Sequence, residues 1–265
     1  MSLESEIAAL VTASNALTGE VSAKMAGIDA AVAAAIAAIP DLRRSVYVDA
    51  VTGDDNNPGT AALPVRTVGM ASERVPVGGY GHIYLARNQD HVMDARAYDN
   101  KTILIWAAAE EPDNAYWALP SNTAPRLLVT GNQNLRNSHL FVGAYARCVD
   151  IRVNGGAFTS DIESTGLSAP GSTVGIAHSR ITINHAWPLF SGNVPFMPGH
   201  VRIRYAEVVR PVAAPLINIP GNSSTVVVDF DALILPAGVT LADLVTGIIR
   251  DANGTPRNLL ANFVI

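Results

Sequence analysis

Cysteine is almost missing from this chain. Cys148 is the only one in 265 residues, so neither an intrachain disulfide nor a multi-cysteine zinc site can form. Flanked by Arg147 and Val149, it reads as a small buried hydrophobe and not as a nucleophile. Charge is scarce as well, at 15% of residues, and the formal net charge of −5 comes with no polybasic run. That excludes nucleic acid or an anionic membrane as the main partner. No apolar run reaches the ~20 residues a membrane span needs, and no basic n-region of a secretory signal is present. The histidines make no HxH or HExxH spacing, and phosphate-binding glycine loops and nucleophile elbows are absent. Nothing calls for a cofactor. With 49% hydrophobic residues, disorder as a general state is excluded too.

Proline is missing before Pro40 and aromatics before Tyr47, and the stretch they leave free carries one apolar stripe. Its members are Leu3, Ile7, Leu10, Leu17, Val21, Met25, Ile28, Val32, Ile36 and Ile39, with Ser14 filling the place between Leu10 and Leu17. The steps are 3 or 4, which places these residues on one helical face in heptad spacing. From Leu17 onward the steps run 4, 4, 3, 4, 4, 3, an 11-residue repeat that unwinds or reverses a left-handed supercoil. A helix of this length reaches about 55 Å. No other segment offers a matching apolar helix, so the expected partners are copies of the chain itself; packing on its own downstream domain is the alternative. Pro40 ends the helix, and Arg43-Arg44 follows where cations suit a helix C-terminus.

The remainder is rich in Gly, Pro, Asn, Ser and Thr. Tyr47-Val48-Asp49 reads as a short strand, and GDDNNPGT (Gly53–Thr60) as a dense turn. Leu63–Ala71 can start a short helix. After Gly78-Gly79 come short apolar runs separated by turn residues: His82–Ala86, Thr102–Trp106, Arg126–Thr130, His139–Val142, Val149–Val153, Arg180–Asn184, Val201–Tyr205 and Thr225–Phe230. Ile151-Arg152-Val153-Asn154 resembles Ile181-Thr182-Ile183-Asn184 at an offset of 30. Val201–Tyr205 likewise resembles the alternation Val226–Asp231. Offsets of ~20–30 residues fit one turn of a stacked solenoid, whereas a β-sandwich prefers ~8–12. If Ile203 stacks on Phe230, then Arg202 faces Asp229 and Arg204 faces Asp231. Towards the end, Thr240 with Asp243 can cap a short helix, and Asp251–Pro256 can turn a hairpin.

The run Tyr47-Val48-Asp49, then Gly53–Thr60, then Pro64–Val68 (PVRTV), resembles the opening of pectin-lyase-like right-handed parallel β-helices, in the form met in bacteriophage tail fibres and tailspikes. The motif covers roughly 25 residues, with the flanking helix and the rungs extending the likeness more loosely to most of the chain. The resemblance implies a mainly β, elongated, homotrimeric virion protein with one β-helix per protomer, the protomers intertwined or side by side. It implies no activity, since the family holds both enzymes and inert fibres. The expected organisation is an N-terminal coiled coil for trimerisation or virion attachment over 1–42, a parallel β-helix body over 43–236 and a C-terminal cap over 237–265.

Several groups merit weighing for chemistry. Asp49, Asp54, Asp55, Asn56 and Asn57 gather oxygen ligands of the calcium kind but lack EF-hand spacing, so a turn closing the first coil is the expected role. Glycan hydrolysis uses paired carboxylates; Asp161/Glu163 and Asp229/Asp231 each stand at i, i+2, about 6–7 Å apart along a strand. Arg partners account better for the second pair. His139, His178, His185 and His200 are scattered; only a trimer axis would turn one into three metal ligands. Tyr116-Trp117, Trp106, Trp187 and Phe190 are able to stack on sugars, though core or subunit-contact roles are expected. The expected function is a structural phage tail fibre, assembled in the host cytoplasm and carried on the virion. Its expected partners are itself, other tail or baseplate proteins, and a host surface glycan or protein receptor. The alternatives are a tailspike depolymerase or lyase and a bacterial surface adhesin, the missing secretion signal weighing against the last.

Overall fold

A computed structural model describes residues 2–38, 42–111, 119–155, 158–159, 172–186, 188–191, 199–219 and 225–264. The chain divides into two compact units, Met1–Leu42 and Arg43–Ile265. The first is a single helix, α1 (Leu3–Ala38). It is rich in alanine, free of proline, and carries Glu4 and Glu6 in its first turn, where negative charge suits the helix dipole.

The second unit is mainly β. It contains a short helix, α2 (Val68–Glu73), and nineteen strands among the described residues. In chain order these are β1 (Arg43–Val48), β2 (Tyr80–Leu85), β3 (Asp90–Met93), β4 (Arg96–Asp99), β5 (Thr102–Ala107), β6 (Arg126–Val129), β7 (Gln133–Arg136), β8 (His139–Val142), β9 (Val149–Val153) and β10 (Phe158–Thr159). They continue with β11 (Thr173–Ala177), β12 (Ser179–Ile183), β13 (Phe190–Ser191), β14 (His200–Arg204), β15 (Glu207–Val209), β16 (Ile217–Asn218), β17 (Val226–Asp231), β18 (Val245–Thr246) and β19 (Leu259–Ala261).

The strands form three sheets, of orders β1-β2-β5-β8-β11-β14-β17-β19, β15-β12-β9-β6-β3 and β18-β16-β13-β10-β7-β4. Every ladder between these strands is parallel, which removes the antiparallel sandwich that strand spacing had left open. From β2 to β16 the chain visits the eight-, five- and six-stranded sheets in strict rotation, so each strand pairs with the one three places later. Register is fixed by the buried face. Val46, Ile83, Ile105, Val142, Ile176, Ile203 and Phe230 occupy one line across the eight-stranded sheet, and none is more than 5% exposed. In the five-stranded sheet, Leu127, Ile151, Ile181 and Val208 do the same. A one-residue slip would turn each line outward, so the aliphatic stack itself selects the register. The spacing between register partners runs from 22 residues (Tyr80 to Thr102) to 37 (Thr102 to His139), wider at the upper end than the sequence pattern suggested.

The acidic turn folds against the outer edge of β1. Tyr47 donates its N–H to Gly59 O at 2.8 Å, and Val65 donates to Tyr47 O at 3.0 Å, so an edge that would stand open is paired. Asp55 Oδ1 accepts from the backbone N–H of Arg66 and of Thr67, both at 2.9 Å. The Thr67 hydroxyl in turn accepts from Met70 N and caps α2. Gly53 is required here because a Cβ would collide with the backbone oxygens of Val65 and Asp49.

At the far end, Asn262 stands in for a strand residue. Its side-chain amide accepts from Phe230 N at 3.0 Å and donates to Phe230 O at 2.8 Å, while Phe263 stacks on Phe230 at 4.8 Å. Thr240 N donates to Asp243 Oδ2 at the start of a 3-10 turn, Leu241–Leu244. A turn held by Asp251 Oδ1 then brings Arg250 opposite Pro256 in one antiparallel bridge.

Candidate interaction surfaces

Among the described residues, two surfaces gather apolar side chains on an outward face of the single chain. On α1 the stripe residues Leu3, Ile7, Leu10, Leu17, Val21, Met25, Ile28, Val32 and Ile36 are all exposed, from 49% at Val21 to 73% at Leu3. Ile39 lies outside the described residues.

The second surface is the outward face of the first four strands of the eight-stranded sheet. Alternation along β1, β2 and β5 turns Tyr47, Tyr80, His82, Tyr84, Leu104 and Trp106 outward, each half-buried among its neighbours. Register stacks Tyr47 on Tyr84 on Trp106. The Tyr47 and Tyr84 rings are parallel, 5.0 Å apart, and the Trp106 ring meets His82 edge-on at 4.5 Å. Guanidinium groups lie over two of the rings, Arg43 over Tyr80 at 5.6 Å and Arg147 over Tyr84 at 5.7 Å. Burial, and behind it the charge of Arg43, pushes the His82 imidazole below its usual pKa, so it sits in this cluster as a neutral ring at neutral pH. Phe141 on β8 continues the face. The outward residues of these four strands include no acid and no lysine.

The other sheets present different exteriors. Across the five-stranded sheet one register line reads Asp90, Arg126, Asp150, Arg180, Glu207, alternating in sign at every step. Arg126 pairs with Asp90, and Arg180 Nε reaches Glu207 Oε2 at 2.7 Å. Across the six-stranded sheet the register line through Ala97 and Asn134, and that through Asn218 and Thr246, is uncharged, while Asp99 and Arg136 pair on the next outward line.

The remaining sequence candidates separate clearly. The acidic turn residues spend their oxygens on the backbone: Asp49 Oδ1 accepts from Val51 N, Thr52 N and the Gln89 amide, and Asp54 Oδ1 from Asn56 N. Desolvation raises the Asp49 carboxyl, but the Thr52, Val51 and Gln89 hydrogen bonds outweigh it and bring the pKa down to about 2. Arg202 faces Asp229 and Arg204 faces Asp231 in register; the Arg204 guanidinium nevertheless reaches across to Asp229 Oδ2 at 2.8 Å, beside Arg202 at 2.9 Å. Asp229 is thereby clasped from two sides and held below its usual pKa against the upward pull of burial. Asp161, Glu163, Tyr116, Trp117 and Trp187 lie outside the described residues.

His178, at a left-handed corner, is buried between Tyr145 and Tyr205; His139 and His200 share a register line with Thr173 between them; His185 is exposed. Among the described residues no three of His, Cys, Asp and Glu stand together as a metal site. Cys148 is buried and its thiol is pushed up to about 12 by desolvation and the nearby Glu111. Phe190 is wholly inside, whereas Trp106 is on the outward face. The companions of Trp106 went unnoticed in the sequence, although Tyr80-x-His82-x-Tyr84 carries the period-2 signal that places three rings on one side of a strand.

Among the described residues no helix is long and apolar enough to cross a membrane. No family model matches the chain, and neither a curated protein nor a solved structure matches it.

Proposed function

We propose that this chain is a structural fibre protein of a bacteriophage tail, carried on the virion and attaching it, directly or through a more distal piece, to the bacterial surface. In this reading the three sheets wind into a right-handed parallel β-helix, and α1 joins three copies through its apolar seam. The observation that carries it is the strict rotation of strands β2 to β16 through three parallel sheets, each strand bonded within that run to the one three places on. Parallel crossovers are right-handed in nearly all proteins, which supplies the hand. The folding of the GDDNNPGT turn as a lid on the first strand fits the family resemblance noted in the sequence. A non-enzymatic role is preferred because Asp229, one member of the described carboxylate pair, is committed to Arg202, Arg204 and Asn262, leaving Asp231 without a second free carboxylate beside it.

The test is the molar mass in solution of the whole chain beside the double variant Val21→Glu/Ile28→Glu. A trimer that the substitutions dissociate, with strand content unchanged by circular dichroism, supports the reading. A monomeric whole chain sinks the coil. Incubation with host capsule or lipopolysaccharide tests the rest, since new reducing ends or unsaturated sugars would make the chain an enzyme.

A further inference from the structure

From the contrast between the three exteriors we infer that the aromatic end of the eight-stranded sheet is where the bodies of neighbouring copies of this chain touch. The inference rests on the self-association proposed for α1 and names the face it uses. Its centre is Tyr47, Tyr84, Leu104, Trp106 and Phe141, and its composition is that of a protein contact: tyrosine, tryptophan, phenylalanine and arginine present, with neither lysine nor acid among the outward strand residues and Glu110 entering only as the partner of Arg147.

A glycan fits this face poorly. Sugars stack on open ring faces, and here three of the rings already have a neighbour over one face: Tyr47 has Tyr84, Tyr80 has Arg43, and Tyr84 has Arg147. The outward strand residues among the rings include no Asn, Asp or Glu to hold hydroxyl groups, and the nearby Glu110 is engaged by Arg147 at 3.4 Å. The ladder of alternating charge on the five-stranded sheet is internally neutralised and gains little from a partner.

Connectivity favours a second copy over a foreign protein. β1 starts five residues after α1 ends, a link spanning at most about 18 Å. Copies joined through α1 therefore hold their first strands at millimolar effective concentration. The rings gather on β1, β2 and β5, the tethered end of the sheet, whereas Arg202, Arg204, Asp229 and Asp231 stand outward on β14 and β17.

The test uses the whole chain with single added cysteines and a short bismaleimide. Cys148 is a silent background, being buried with a thiol pushed up to about 12. Leu104→Cys and Thr102→Cys place the reporter on the inferred face, the second guarding against damage by the first; Thr182→Cys and Asn218→Cys place it on the other two sheets. The expected result is about tenfold more covalent multimer from positions 102 and 104 than from 182 and 218. A chain that is oligomeric by mass but links at 182 or 218, or at none of the four, overturns the inference while leaving the coil intact. A chain that is monomeric by mass removes the coil and the inference together.

Discussion

At the scale of single residues, the fold leans on polar groups that the backbone uses up. Asp49 shows the consequence for pH. Its carboxyl has a folded pKa of about 2 against an ordinary 3.8, so the ionised form is favoured by folding. That contribution is complete above the ordinary value and drains away as pH falls towards the folded one. Asp49→Asn keeps an acceptor for Val51 and Thr52 but carries no charge. The urea midpoint of the native chain should therefore drop more steeply between about pH 4 and about pH 2 than that of the variant; parallel curves would remove Asp49 from the acid response. A second residue-scale device is the corner that bends the chain from one sheet to the next. His178, Tyr205 and Ala232 take left-handed angles there, with φ of 48°, 51° and 51°. Only glycine, and to a lesser degree asparagine, adopts these angles without penalty. Ala232 is exposed, so Ala232→Gly relieves strain without opening a cavity, and it should raise stability by about 0.5–1 kcal/mol in chemical denaturation despite the added freedom of the unfolded chain.

At the scale of elements, the five-stranded sheet carries its register in its charges. Arg180 stands between Asp150 and Glu207 on the outward line, and Arg180→Glu would set three acids in a row. The expected cost is about 1–2 kcal/mol at low salt, shrinking as salt rises, while Thr182→Glu on the adjacent line should cost less than half of that. This ladder also explains what the sequence could disclose. The eight strand runs read from it fall in the eight- and five-stranded sheets, with ends within two residues of those observed, because inward Val, Ile and Leu alternate there with outward polar groups. The six-stranded sheet was invisible. Four of its strands are two residues long, and in β7 the inward place is held by Gln133, a buried amide donating to Met93 O, Asp94 O and Gly131 O. Such a residue draws most of its partners from segments distant in sequence, Met93, Asp94 and Tyr98, so no local pattern announces it. β11 escaped for another reason: its outward places hold Gly175 and Ala177, which leave no polar beat between Val174 and Ile176. The N-terminal helix was legible, being a local periodicity. The aromatic face was not, since Tyr47, Tyr84 and Trp106 meet only through register between strands far apart in the chain.

At the scale of the whole molecule, the proposed reading divides labour between a seam that joins copies and bodies that present whatever meets the host. The nine exposed stripe residues of the helix cost the isolated chain about 25 cal/mol for each Å² they leave in water, a penalty that the proposed association would remove. The gain in function comes from linkage and not from any new contact. Joined copies offer several sites at once, and the second engagement is intramolecular, so avidity exceeds single-site affinity by about 10²–10⁴ where geometry allows both. Val21→Glu/Ile28→Glu leaves every residue of the second unit untouched and should therefore lower apparent binding to host cells by that factor, with the loss appearing as faster release. Binding by the dissociated chain that equals the parent's would mean that one body engages alone, and the seam would then serve assembly into the virion instead of grip. The two outcomes differ in release rate under flow, where a multivalent particle persists after free protein is washed away and a monovalent one does not.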